Sequence, residues 1–171
     1  FFHDQLKFLH IAPEYCFINI FKKMKNIDYT TGDLISPWAD VKMDVHNIPF
    51  GNESFDIVIC NHVLEHVKDD FQVMNEFYRV MRHGGWGIFQ VPIDRNNEIT
   101  IEDKNITDPK DRERLYWQAD HVRLYGKDYG KKLASVGFNV IESDYVNNID
   151  NELVKRYALP KGEIIYWCKK D

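Results

Sequence analysis

The segment FDIVICN, residues 55–61, constrains the fold more than any other stretch of the chain. Ile57, Val58, Ile59 and Cys60 show no polar–apolar alternation, so a strand here must be covered on both faces. Strands of that kind belong to parallel sheets wound with helices. The rest of the chain supplies the alternation such a sheet needs. KFLHI (7–11) reads as a second buried strand. A helix follows it, with Phe17, Ile20, Phe21 and Met24 on one face and Lys22, Lys23 and Lys25 at the negative end of its dipole. NIDYTTGD (26–33) and VKMDV (41–45) read as short strands. DDFQVMNEFYRVMRHGG (69–85) reads as a helix, started by Asp69 and Asp70 and stopped by Gly84 and Gly85. Its inner face is expected to carry Phe71, Met74, Phe77, Tyr78 and Met81. WGIFQVP (86–92) is again a strand and GKDYGKKLASVG (126–137) a helix; FNVIESDYV (138–146) and EIIYWCKK (163–170) close the sheet as an antiparallel pair.

Length and charge narrow the function classes. A chain of 171 residues is enough for one domain, spanning 1–171, with a substantial core. The formal net charge of -5 leaves no polycationic footprint, so no nucleic-acid partner is indicated. No apolar run approaches the roughly 20 residues of a membrane span. The opening string FFHDQ is too short in apolar residues for a signal peptide, and a chain beginning at Phe1 is expected to lack an N-terminal part. Cys16, Cys60 and Cys168 form no CxxC pair and no disulfide framework, which fits reduced thiols in a cytoplasmic protein.

Ligands of wound sheets bind outside the C-terminal strand ends, where the strand order reverses. The residues that follow the strands are Ala12, Pro13 and Glu14; Asp33 and Leu34; Asp44 and Val45; Asn61, His62, Glu65 and His66; and Gln90 and Pro92. Asp33 lies 17 residues past Cys16, a spacing suited to an acid that grips two ribose hydroxyls. It equally well finishes the Thr31–Gly32 turn. Asp44 can accept a proton from an adenine amino group, or serve only as a turn residue.

The run DVHNIPFGNESFDIVICNHVLEHVKDDFQVMNEFYRVMRHGGWGIFQVP (44–92) resembles the middle of a class I S-adenosylmethionine-dependent methyltransferase, of the type 11-like group. HVRLYGKDYGKKLASVGFNV (121–140) resembles the later helix and sixth strand of the same group. The resemblance implies a Rossmann-like α/β fold: a doubly wound sheet, mostly parallel, with an antiparallel strand at one edge. It implies S-adenosyl-L-methionine as cofactor, held by Ala12, Pro13, Glu14, Asp33, Leu34, Asp44, Val45, Asn61 and His62. Full-length relatives are expected to carry an upstream cysteine-rich segment able to recruit a partner. One departure stands out. The family usually has a glycine-rich turn after an acidic strand residue; here His10 replaces the acid, and Ala12-Pro13-Glu14 replace the glycines. Dinucleotide loops need glycine so that backbone can approach a pyrophosphate. This cofactor has no phosphate. Pro13 suits a first helical position, and Glu14 suits the helix N-terminus or the ligand ammonium.

Rival readings come from the same residues. His62-Val63-Leu64-Glu65-His66 matches H-x-x-E-H, a zinc-protease pattern. It directly follows a buried strand, so His62 is expected in a strand-to-helix turn, and no metal is expected. A nicotinamide oxidoreductase lacks its G-x-G-x-x-G loop here, and the Tyr157-to-Lys161 match contains Pro160, which a regular helix does not tolerate. A methyltransferase-like binding module without turnover stays open. His62, His66 and His121 are the candidate general bases, needed only if the acceptor must lose a proton. The polar segment 94–128, with RLYWQADHVRLYG (114–126), can close over a pocket. His121 and Arg123 are its expected substrate contacts, with a small or sugar-like acceptor; Tyr116 or Trp117 is expected to pack on the sheet. Monomer and dimer are equally open.

Overall fold

The computed structural model describes residues 4–171; the expectations resting on residues 1–3 lie outside the described residues. Seven strands form one sheet: β1 (Leu6–Ile11), β2 (Ile27–Asp33), β3 (Val41–Lys42), β4 (Phe55–Asn61), β5 (Met81–Gln90), β8 (Asn139–Ser143) and β9 (Ile165–Lys169). A second, two-stranded sheet pairs β6 (Ile101–Glu102) with β7 (Arg123–Leu124). The order across the main sheet is β3-β2-β1-β4-β5-β9-β8. β1 to β5 pair in parallel, and β9 runs antiparallel to both of its neighbours. The antiparallel strand therefore sits one place in from the edge, with β8 outside it. The chain winds outward through β2 and β3, then crosses back to place β4 on the other side of β1. That reversal between β1 and β4 is the topological switch point.

Burial follows the residue pattern. Phe8 and Leu9 are consecutive and so point to opposite faces of β1, yet both have 0% exposure. Helices cover the two faces: α1 (Tyr15–Phe21), α2 (Asp70–Val80) and α4 (Tyr129–Ser135), with α3 (Pro109–Tyr116) and α5 (Asn151–Arg156) in the later connections. Asp69 caps α2 by accepting from the Gln72 amide at 2.9 Å.

Two helices differ from expectation. In α2 the buried face is Val73, Met74, Phe77 and Val80, while Phe71 is exposed. The helix ends at Val80, and Met81 is already strand. Gly84 and Gly85 do not stop it; they belong to an irregularity in β5, where Met81 pairs Phe55 and Trp86 pairs Ile57. Gly84 takes φ +76°, which a side chain would resist. In α1, Ile18 is the buried residue and Phe17 and Ile20 are exposed. At seven residues the helix is too short, and too apolar all round, for periodicity to choose a face.

Phe77 is fully buried and stacks on Phe89 of β5 at 4.8 Å. Phe77→Ala is expected to destabilise the chain by about 3–5 kcal/mol in urea unfolding; a loss below ~1 kcal/mol would mean that α2 does not anchor the sheet.

Candidate active site

The C-terminal ends of β1, β2, β3 and β4 enclose a cavity of about 430 Å³, within the ~300–1,000 Å³ range of small-molecule sites. Ala12, Asp33, Leu34, Asp44, Val45 and His62 share its wall with Met43, Val63 and His66. Pro13, Glu14 and Asn61 do not line it. They lie beside it, in the frame of the switch point.

That frame is a chain of hydrogen bonds. Glu14 is the residue before α1, so Pro13 sits outside the helix rather than at its first position. The Glu14 side chain makes no cap bond. It turns back toward the sheet, where Oε2 meets His10 Nε2 at 2.7 Å and Oε1 accepts from Asn61 Nδ2 at 2.8 Å. A carboxylate can only accept, so His10 Nε2 carries the proton. His10 Nδ1 lies 2.7 Å from the Tyr29 hydroxyl of β2. Burial works to raise the Glu14 pKa, but the hydrogen bonds from His10 and Asn61 outweigh it and hold the group at about 2. Asn61 Oδ1 remains buried with no hydrogen-bond partner. The acid missing from β1 is thus supplied from the loop, four residues on.

The stiff turn carries conformational strain. Ala12 adopts φ +48° and His62 adopts φ +55°, both left-handed. For a residue with a Cβ this costs roughly 1–2 kcal/mol. A glycine turn would avoid that cost at Ala12; the Glu14 bonds offset it instead.

Asp33 Oδ1 accepts from the amides of Ile35 and Ser36 at 2.8 and 2.7 Å. Asp33 therefore finishes a turn while also facing the cavity. Asp44 Oδ1 accepts from the His46 amide at 2.9 Å and meets His46 Nδ1 at 2.7 Å. These His46 bonds, backbone first, lower the Asp44 pKa below the ordinary value. Around this wall Leu34, Ile35 and Trp38 are exposed, and Trp38 packs edge-on to exposed Tyr15.

The HVLEH stretch forms turns, not a helix. The helical register that a metalloprotease motif needs is absent there, and His62 and His66 face different acids. His62 Nδ1 lies 3.3 Å from Glu65 Oε1, and His66 Nδ1 lies 3.3 Å from Asp120 Oδ2. The Glu65 hydrogen bond raises the His62 pKa against the opposing effect of burial. A larger share of His62 is then already protonated near neutral pH, which weakens its case as a general base. His121 is buried, and its Nδ1 lies 2.8 Å from the Tyr116 carbonyl. It reaches neither the main cavity nor solvent, so direct substrate contact is corrected to a place behind His66, on whose ring it packs edge-on at 4.7 Å.

Arg123 also departs from expectation. Its side chain has 0% exposure. It donates to the carbonyls of Leu64 and Val67 at 2.6 Å each, to that of Lys68 at 3.3 Å, and to both Glu102 oxygens. Those five bonds use all five guanidinium donors and leave none for a substrate. Arg123 braces the 64–68 loop. Of the aromatic pair, Tyr116 is the buried one, and Trp117 is exposed beside a third cavity that also touches His62. Sequence reasoning missed His10 and Tyr29 as site residues. The only signal was that His10 replaced an acid.

Glu14 has a depressed folded-state pKa, so its stabilisation is complete above the ordinary value of 4.5 and fades as pH falls toward about 2. Glu14→Gln is expected to be less stable than wild type at pH 6 in urea unfolding, and the difference is expected to close below pH 4.5. A gap that stays constant with pH would contradict the charged tie.

Comparison with known proteins agrees with this architecture. Residues 10–89 match the family model described as Methyltransferase domain. Arsenite methyltransferase of Mus musculus is 31% identical over 134 residues, 69% of this chain and 34% of the relative. The chain therefore spans about a third of the length of that curated relative. The 1,6-didemethyltoxoflavin-N1-methyltransferase of Burkholderia thailandensis, solved with 1,6-didemethyltoxoflavin and S-adenosylhomocysteine, superposes with a TM-score of 0.66 at 14% identity, covering 98% of this chain and 72% of that one. An S-adenosylmethionine-dependent methyltransferase from Mesorhizobium loti gives 0.59 at 13% identity, covering 98% and 92%. These structural likenesses carry the fold, and the matched segment and the sequence relative support a class I methyltransferase domain.

Proposed function

We propose that this chain binds S-adenosyl-L-methionine in the cavity at the β1–β4 switch point and transfers its methyl group to a small acceptor. The observation that carries the reading is the convergence of Ala12, Asp33, Leu34, Asp44, Val45 and His62 on one cavity of suitable size. The donor set fits the cofactor. Asp33 suits the ribose hydroxyls and Asp44 the adenine amino group. Asn61 Oδ1, a buried acceptor without a partner, suits an ammonium. The cofactor, when bound, supplies a sulfonium methyl already activated for transfer. The chain then has only to orient the acceptor and exclude water, and orientation can contribute about 7–11 kcal/mol.

A second cavity of about 350 Å³ meets the first at His66 and Lys68 and is walled by the charged Glu102, Lys104 and Arg112 together with the apolar Ile106 and Val122. Its size and mixed charge suit a small polar or sugar-like acceptor better than a nucleic acid. His66, partly exposed and common to both cavities, is the best-placed base if the acceptor carries a proton. Among the described residues no helix is long and apolar enough to cross a membrane. All three cysteines are free, which supports a cytoplasmic setting. A second reading, a module that binds without turnover, draws on Glu14 being wholly engaged by His10 and Asn61.

Calorimetry with S-adenosylmethionine and S-adenosylhomocysteine tests the assignment. One site per chain is expected. Asp33→Asn, able to keep the turn bonds, is expected to weaken binding at least tenfold, about 1.4 kcal/mol, with an unchanged melting temperature. No binding by the folded chain would defeat the reading, and binding without turnover of any acceptor would favour the silent module.

A further inference from the structure

We propose that Glu65, His66 and His121 form a binding site for a divalent transition-metal ion of the Zn²⁺ type, behind the junction of the two cavities. One donor atom from each of the three residues lies within 4.8 Å of the others. A tetrahedral zinc ion holds its ligand atoms about 3.3–3.5 Å apart, so the donor atoms draw closer on binding, and the exposed His66 ring is the one with room to move.

Two of the three donors are buried and have no partner. Glu65 and His121 each have 1% exposure, and Glu65 Oε2 and His121 Nε2 make no hydrogen bond. The proton positions make this pairing informative. A carbonyl oxygen only accepts, so Tyr116 O at 2.8 Å fixes the proton of a neutral His121 on Nδ1. Nε2 then presents a bare lone pair, in a cluster where a ligand atom of Glu65 lies within 4.8 Å of one of His121. Two buried acceptors without partners in one cluster are costly unless something satisfies them, and a metal ion would satisfy both. A histidine held through its other nitrogen by a backbone carbonyl is also the usual arrangement around a metal ligand.

The surroundings hold the cluster in place. The Val122 amide donates to the Glu65 carbonyl at 2.9 Å, and Arg123 braces the carbonyls of Leu64 and Val67 on either side of it. The donor set is two imidazoles and one carboxylate, which suits zinc and other first-row divalent ions and leaves a coordination position open. The set overlaps the H-x-x-E-H stretch at Glu65 and His66 but is not its ligand pair, since His62 takes no part and His121 comes from a distant segment. His66 lines both cavities, so an oxygen or thiolate of an acceptor bound there is the class of ligand that would fill the open position.

The test uses the tag-free 171-residue chain without cofactor, so it stands apart from the methyl-transfer reading. After chelator treatment, Zn²⁺ is titrated by calorimetry and Co²⁺ by its visible absorption. One ion per chain is expected, with tetrahedral Co²⁺ bands. His66→Ala, a change at a partly exposed side chain that leaves the fold intact, is expected to weaken binding about 100-fold or more, beyond the loss of an outer partner. His121→Asn and Glu65→Gln are expected to do the same, while His62→Ala and the exposed His83→Ala retain the ion. The proposal is overturned if wild type takes up no stoichiometric ion, if binding survives His66→Ala, or if it depends on His62. It is overturned equally if nuclear magnetic resonance finds His121 protonated on both ring nitrogens with Zn²⁺ present, because a shared proton then occupies the place of the metal.

Discussion

Glu14 accepts hydrogen bonds from His10 of β1 and Asn61 of β4, and so joins the first turn to the strand across the switch point. Tyr29 extends the chain to β2 through the far nitrogen of His10. β1 and β4 are thereby tied near the ends that border the cavity, and Tyr29 links His10 to a point further back in β2. A glycine turn at this place would give access by keeping the backbone small. Here a carboxylate holds a stiffer turn in a left-handed conformation at Ala12, and the cavity beside it stays open. Because the carboxylate is half-buried and doubly hydrogen-bonded, it stays ionised far below the ordinary range, and the tie persists at every physiological pH.

A second brace governs the far wall. Arg123 has no donor left for a ligand because its guanidinium satisfies the carbonyls of the 64–68 loop. Asp70, at the start of α2, lies 3.7 Å from Arg123, 3.0 Å from Lys132 and 2.9 Å from the Tyr125 hydroxyl. Removing one member of such a buried network leaves an uncompensated charge, at a cost of about 3–5 kcal/mol. The loop that presents His62 and His66 is therefore fixed from behind, and the junction of the two cavities inherits its shape from a segment some sixty positions later in the chain.

The strands and the acids at their ends were legible in the sequence because both signals are local. An unbroken apolar run marks β4, and an acid after a strand marks Asp33 and Asp44. The long-range partners were not legible. Nothing near Glu14 points to Asn61, 47 residues away, and nothing near Arg123 points to the carbonyls of Leu64 and Val67. An arginine among aromatics in a polar segment looks like a surface contact until the fold buries it. The end of α2 was misread for a related reason: Gly84 and Gly85 look like a helix stop, but Val80 and Met81 had already joined the core and turned the chain into β5. The contact between Glu65, His66 and His121 depends on the second sheet and α3, neither of which leaves a periodic signal.

The most direct test is a crystal structure of the chain with S-adenosylhomocysteine. The account requires the ribose on Asp33, the adenine between Val45 and Asp44, and Glu14 still bonded to His10 and Asn61 while the ligand ammonium lies near Asn61 Oδ1. A ligand seated elsewhere, or a Glu14 side chain that leaves both partners to admit it, would contradict a switch point held open by a carboxylate in place of glycine.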